Sequence, residues 1–159
     1  MRRDLIALPE DSKVWIYQAD QALSEEVSQL IKADLYDFSM SWSSHGKMLD
    51  SYSHLFHYQF VVMVADGSNL PSGCSIDSSV HFLEALGKKY GVDFFDRMTF
   101  AYMEDDHVKF VKSTDFAEYY KSNKINDETL IFDNLVDTKS KFIEGWIKPL
   151  KDSWHTKFI

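Results

Sequence analysis

A chain of 159 residues, 45% hydrophobic and 15% aromatic, is one domain's worth and can bury about 70% of its unfolded surface, which excludes a disordered chain. A net charge of −8 excludes a general nucleic-acid binder, which needs a clustered basic face to displace counterions. A single cysteine excludes an internal disulfide and a multi-cysteine zinc site, and the longest apolar run, Phe60 to Ala65, is far too short to cross a bilayer.

Residues 1–159 are therefore expected to form a single compact domain, and six glycines and three prolines leave little room for a linker. With no signal peptide ahead of Leu5, a cytoplasmic location is the default. The acids are unevenly spread. Nine acids against three bases lie between Asp50 and Asp106, whereas Lys139, Lys141, Lys148, Lys151 and Lys157 tilt the C-terminus basic. Solvated faces are the expectation for both, with a local basic patch on the last helix as the alternative.

Residues 1–12 read as an irregular arm. Lys13 to Ala19 is β-branched and aromatic with apolar groups on both parities, which predicts an interior strand covered on both faces. Ser24 is placed to cap a helix running to about Ser39, with Val27, Leu30, Ile31, Leu35 and Phe38 on its apolar face. Ser41-Trp-Ser-Ser-His-Gly46 breaks that helix. One strand is expected within Lys47 to His57 and a central one from Tyr58 to Ala65.

A loop from Asp66 to Ser72 then feeds the stretch Pro71 to Gly91. Here Ser75 is expected as N-cap, Asp77 complements the helix dipole, and Gly91 stands where a left-handed residue would end the helix. Thr99 to Met103 and His107 to Lys112 predict a hairpin turning through Glu104-Asp105-Asp106. Thr114 to Lys121 predicts a short helix and Thr129 to Val136 a last strand. Thr138 to Lys148 predicts a final helix with Phe142, Ile143, Trp146, Ile147 and Leu150 on its apolar face, ended or kinked by Pro149. Residues 149–159 follow as a docked tail. The order β-α-β-β-α-β-β-(α)-β-α is α+β, with helices packed on a mixed sheet.

The chemistry-bearing residues centre on Cys74. Beside Gly73 at a helix start, exposed amides and the dipole would lower its pKa, and His45 or His155 as base with Asp77 in support would complete a nucleophilic site. Val80 stands where the arginine of a Cys-x5-Arg phosphatase loop must be, which excludes that chemistry. Ser72, Gly73 and Ser75, with Ser78 and Ser79, crowd hydroxyls and amides at one helix start, an arrangement able to hold a small anion or simply to cap the helix. Trp42 and Trp154 each sit near a histidine, so an aromatic and polar pocket shared with Cys74 is the sharpest binding expectation. His54 and His57 oppose each other on a strand, and no metal or cofactor motif is present.

Trp42-Ser-Ser-His-Gly46, Ser72-Gly-Cys-Ser-Ile-Asp77, Phe94-Phe-Asp-Arg97 and Ser153-Trp-His155 together resemble a small bacterial family of uncharacterised proteins, over Leu8 to Phe158. Its members often carry the label "ABC transporter ATPase". The family has no established activity, so the resemblance implies no catalytic residue. The label has no counterpart here. There is no Gly-x4-Gly-Lys-Ser/Thr, since Gly87-Lys88-Lys89 lacks the first glycine and the hydroxyl, no Leu-Ser-Gly-Gly-Gln and no Gly-x-Gly-x-x-Gly. The expectation is a binding or interaction domain without catalysis or cofactor. Its partner would be a protein, a second copy of itself or a small anionic ligand, not nucleic acid. The alternatives are a thiol-dependent hydrolase or transferase using Cys74, and an anion binder at Ser72–Ser75.

Overall fold

The computed structural model describes residues 1–67 and 73–159, with the backbone alone at Cys74. The named strands are β1 (Lys13–Gln18), β2 (Ser43–Ser44), β3 (Lys47–Met48), β4 (Ser51–Phe56), β5 (Phe60–Ala65), β6 (Thr99–Glu104), β7 (His107–Lys112), β8 (Leu130–Phe132) and β9 (Ile147–Pro149). The helices are α1 (Glu25–Ser41), α2 (Gly73–Tyr90), α3 (Phe116–Lys121) and α4 (Lys139–Gly145). The class is α+β. Among the described residues the strands form three sheets, ordered β1-β5-β4, β2-β3 and β7-β6-β8-β9, and every ladder is antiparallel where one mixed sheet is expected.

Burial arranges these elements in four layers. The inner face of α1 and α2 packs on one side of the β1-β5-β4 sheet, around Ile31, Leu35, Met63 and Leu83. The other side of that sheet, through Val14, Phe60, Val62 and Val64, packs face to face on the four-stranded sheet and on α4. The far side of the four-stranded sheet, through Phe100, Tyr102, Val111 and Ile131, is covered by α3 and the C-terminal turns. β5 is buried at every position because it is the central strand of a sheet with both faces covered, as its composition predicts.

β1 departs from expectation in one respect. Both its faces are covered, but among the named strands it pairs with β5 alone, while its other edge carries a bridge from Lys13 to Thr138. Apolar residues on both parities report buried faces and say nothing about backbone neighbours on either edge.

Ser24 caps α1, its hydroxyl accepting from Val27 N–H at 3.2 Å, but Leu30 points outward at 48% exposure. The β6–β7 hairpin turns on Asp105 and Asp106, with φ of 49° and 63°, values that aspartate tolerates. α2 ends as its glycine predicts. Gly91 has φ of 69°, and Val92 N–H donates to the Gly87 carbonyl at 2.9 Å, closing a Schellman motif.

The C-terminal third differs most. β8 is only three residues long, because Asp133 turns the chain by accepting from Leu135 N–H at 3.0 Å. α4 stops at Gly145, and Ile147–Pro149 pairs with β8 as β9. Pro149 favours extended backbone in the residue before it, so it supports a strand end instead of a helix end. Ile143 is consequently 58% exposed, while Phe142, Trp146 and Leu150 are buried. The tail folds into 3-10 turns at Leu150–Asp152 and Trp154–Phe158.

The basic C-terminus is largely neutralised. Lys141 pairs with Asp137, Lys148 with Asp133 and Lys151 with Glu128. Lys139 is buried and donates to the Leu8 carbonyl at 2.7 Å, which fastens the N-terminal arm to α4. No helix among the described residues is long and apolar enough to cross a membrane.

Candidate functional site

A cavity lies where the three core clusters meet. Side chains from all three clusters line it, and a space of about 170 Å³ is left. Ile16 and Tyr17 of β1, Phe94 and Phe95 of the α2–β6 connection, Phe100 of β6, Phe132 of β8, Leu135 and Trp154 give it apolar and aromatic walls.

Local turn chemistry presents these groups. Asp93 accepts from Phe95 N–H at 2.8 Å, and Asp96 accepts from Met98 N–H at 3.0 Å. Two consecutive aspartate turns therefore send Phe94 into the core at 1% exposure and leave Arg97 on the rim. Among the described residues the Arg97 guanidinium makes no hydrogen bond and no ion pair.

The polar lining comprises Asp96, Arg97, Thr99 and His155 together with a relay of amides. Gln18 Nε2 donates to the Thr99 carbonyl at 3.1 Å, Asn134 Nδ2 donates to Gln18 Oε1 at 3.1 Å, and Trp146 Nε1 donates to Asn134 Oδ1 at 3.0 Å. Each amide is fixed by its neighbours, so the relay is held in place before any ligand arrives.

Trp154 is held from behind. Its Nε1 donates to Asp133 Oδ1 at 2.8 Å, and Lys148 Nζ donates to Asp133 Oδ2 at 2.7 Å. Burial pushes the Asp133 carboxyl up, but the bonds from Lys148, Trp154 and Leu135 N–H outweigh it and hold the group below the usual carboxylate range.

His155 stacks on Trp154 at 3.8 Å between ring centroids and is 1% exposed. Burial pushes its pKa down to about 4, against a partial upward pull from Asp133, so the ring is neutral near pH 7. Ser153 Oγ lies 2.6 Å from Nδ1. Among the described residues that hydroxyl has no other acceptor, so it donates to Nδ1 and the ring proton is assigned to Nε2.

The other residues singled out from the sequence lie elsewhere. Trp42 is buried in the helix-side cluster against Trp15 and Phe38, and its Nε1 donates to the Ser75 carbonyl at 2.9 Å. Trp42 does not line the cavity that Trp154 lines, so the two tryptophans do not share a pocket. Ser75 is not the N-cap. α2 begins at Gly73, and Ser75 sits buried within its first turn under Trp42.

The Ser78 and Ser79 hydroxyls donate back to the Ser75 and Ile76 carbonyls at 2.9 and 2.6 Å, so they are engaged within the helix. Gly73 and Asp77 are exposed on α2, and His45 is exposed on the β2–β3 turn with φ of 49°. The ring and hydrogen-bond partners of His155 are Phe100, Phe116, Ser153 and Trp154, none of them in α2. The Cys74 side chain and Ser72 lie outside the described residues. Among the described residues no group of three or more His, Cys, Asp or Glu comes together to hold a metal.

Sequence reasoning chose Trp154 and His155 but missed Arg97, Gln18 and Asn134. One signal was available for Arg97, which is one of only three bases in the acidic stretch from Asp50 to Asp106. The chain matches no protein-family model, and no match is found among the curated proteins or the solved structures.

Proposed function

We propose that the protein is a non-catalytic binding domain whose ligand is a small single-ring acid, held in the cavity at the junction of the three core clusters. The observation that carries this reading is Arg97, a cation without a partner among the described residues, at the mouth of a space walled by aromatic rings. The volume sets the size of the ligand. A cavity of about 150 Å³ accepts benzene, so about 170 Å³ takes one ring and not two. Aromatic walls favour a flat apolar body, and the guanidinium at the rim favours a carboxylate, which it can bind through two parallel hydrogen bonds. His155 is neutral near pH 7 and adds no competing charge.

Calorimetric titration with benzoate, benzyl alcohol and 2-naphthoate tests the reading. Benzoate should bind about tenfold more tightly than benzyl alcohol, the lower range for a charge-assisted hydrogen bond at an exposed rim, and naphthoate should be excluded. Arg97→Gln should remove the preference for the acid. Equal affinity for acid and alcohol, or an Arg97→Gln variant with the preference intact, would refute it.

A further inference from the structure

A second site is written into the free edge of β4, sharing no lining residue with the aromatic cavity. We infer that the groove between α1, β4 and the N-terminal arm binds a tetrahedral oxyanion, phosphate or a small phosphate ester, through Arg2, Lys32 and Ser53. In a chain of net charge −8, cations converge on this groove. Arg2 comes from the arm, Lys32 from α1, and the His54 ring from β4 lies within electrostatic reach of both.

Arg2 is fixed in place. Its guanidinium lies over the rings of Tyr36 and Tyr52, at 4.7 and 5.1 Å from their centroids, and one terminal nitrogen meets Asp4 at 3.4 Å. Its Nε is buried and has no hydrogen-bond partner. Lys32 is half-buried and forms no ion pair among the described residues. Ser53 is 1% exposed, lines the groove, and its hydroxyl has no partner either.

Buried donors without acceptors are rare in folded proteins and call for an explanation. Two of them at a groove that Lys32 also lines are explained together by one acceptor-rich anion. The backbone adds a third donor. Ser51 N–H and C=O leave the sheet to pair with Met1 and Arg3, and strand alternation sends the Ser53 N–H to the same side, beyond the single residue that the arm pairs with. The carboxylates nearby are Asp37 on α1, which lines the groove, Asp4, which is 82% exposed and pairs with Arg2, and Glu25 on α1, which is within electrostatic reach of Lys32. Among the described residues none of them forms an ion pair with Lys32.

The neutral His54 ring provides the readout. Burial, Lys32 and Arg2 all push its pKa down. A bound dianion would shield the ring from those cations and favour its charged form, so the His54 pKa should rise.

The experiment follows the His54 ring resonance, assigned by its loss in His54→Gln, through a pH titration with phosphate against chloride at equal ionic strength. Phosphate should raise the apparent pKa and chloride should not. Lys32→Met should weaken phosphate binding about tenfold. Ser53→Ala should weaken it too, while leaving the free protein at least as stable, since the lost hydroxyl had no partner. A further arm compares inorganic phosphate with phenyl phosphate. Tighter binding of the ester would assign the groove to an ester headgroup, and equal binding to the free ion. An unchanged His54 pKa in the wild type, or the same rise in Lys32→Met, would overturn the inference.

Discussion

Acidification should destabilise the protein chiefly through His155, and the size of the effect follows from its burial. The ring is packed between Trp154, Phe100 and Phe116 and is neutral when folded, with a pKa pushed down to about 4. Unfolded, it titrates near 6.5. Between those values the unfolded chain binds the extra proton, so stability is fully present above the unfolded value and is lost as pH falls toward the folded one. Linkage over these two values gives a loss of about 2 kcal/mol between about pH 7 and about pH 5. His54 and His57 are also pushed down, first by burial, and act in the same direction.

The assay is urea unfolding across this range for the wild type and His155→Gln. The variant is expected to start less stable, because it disturbs the Ser153 bond and the stack on Trp154, but to lose most of the pH slope. A wild type equally stable at both ends, or a variant with an undiminished slope, would refute the placement of a neutral imidazole in this core.

Three substitutions probe other parts of the account. Gly87→Ala should destabilise by about 2–4 kcal/mol although alanine is the better helix former, because its Cβ would lie too close to the Val92 carbonyl oxygen, a backbone atom that cannot rotate away. A thermal melt at or above the wild-type midpoint would contradict this. Trp42→Phe should cost about 1–3 kcal/mol in chemical denaturation by removing the bond to the Ser75 carbonyl and part of a buried ring; a change within error would mean that the α2 start does not depend on it. Lys139→Met should cost about 1–3 kcal/mol and speed amide exchange within residues 5–10, since the buried ammonium bonds the carbonyls of Ile6 and Leu8. Unchanged exchange there would show that the arm is held by other contacts.

Much of the fold was legible because local signals and tertiary burial agree. Ser24 caps α1, Gly91 ends α2, Asp105 and Asp106 turn the β6–β7 hairpin, and β5 reads as a central strand and is one. The chain after Leu130 was harder to read, since Asp133 shortens a run of strand formers and Pro149 supports an extended segment, so neither alternation nor helical period persists there. The candidate site was legible only in part. Trp154 and His155 stand out as residues, but their companions come from β1, the α2–β6 connection and β8, and only the packing of two sheets brings these together. No spacing in the sequence encodes that meeting.

The indole N–H resonance of Trp154, assigned by its loss in Trp154→Phe, tests the central claim most directly. Titrating benzoate into the protein should shift this resonance in a saturable manner and leave that of Trp42 in place, because Trp42 does not line the cavity. The Arg97→Gln variant should need a much higher concentration for the same shift. A Trp154 resonance that does not move with benzoate, or moves equally in Arg97→Gln, would contradict a ligand seated in this cavity.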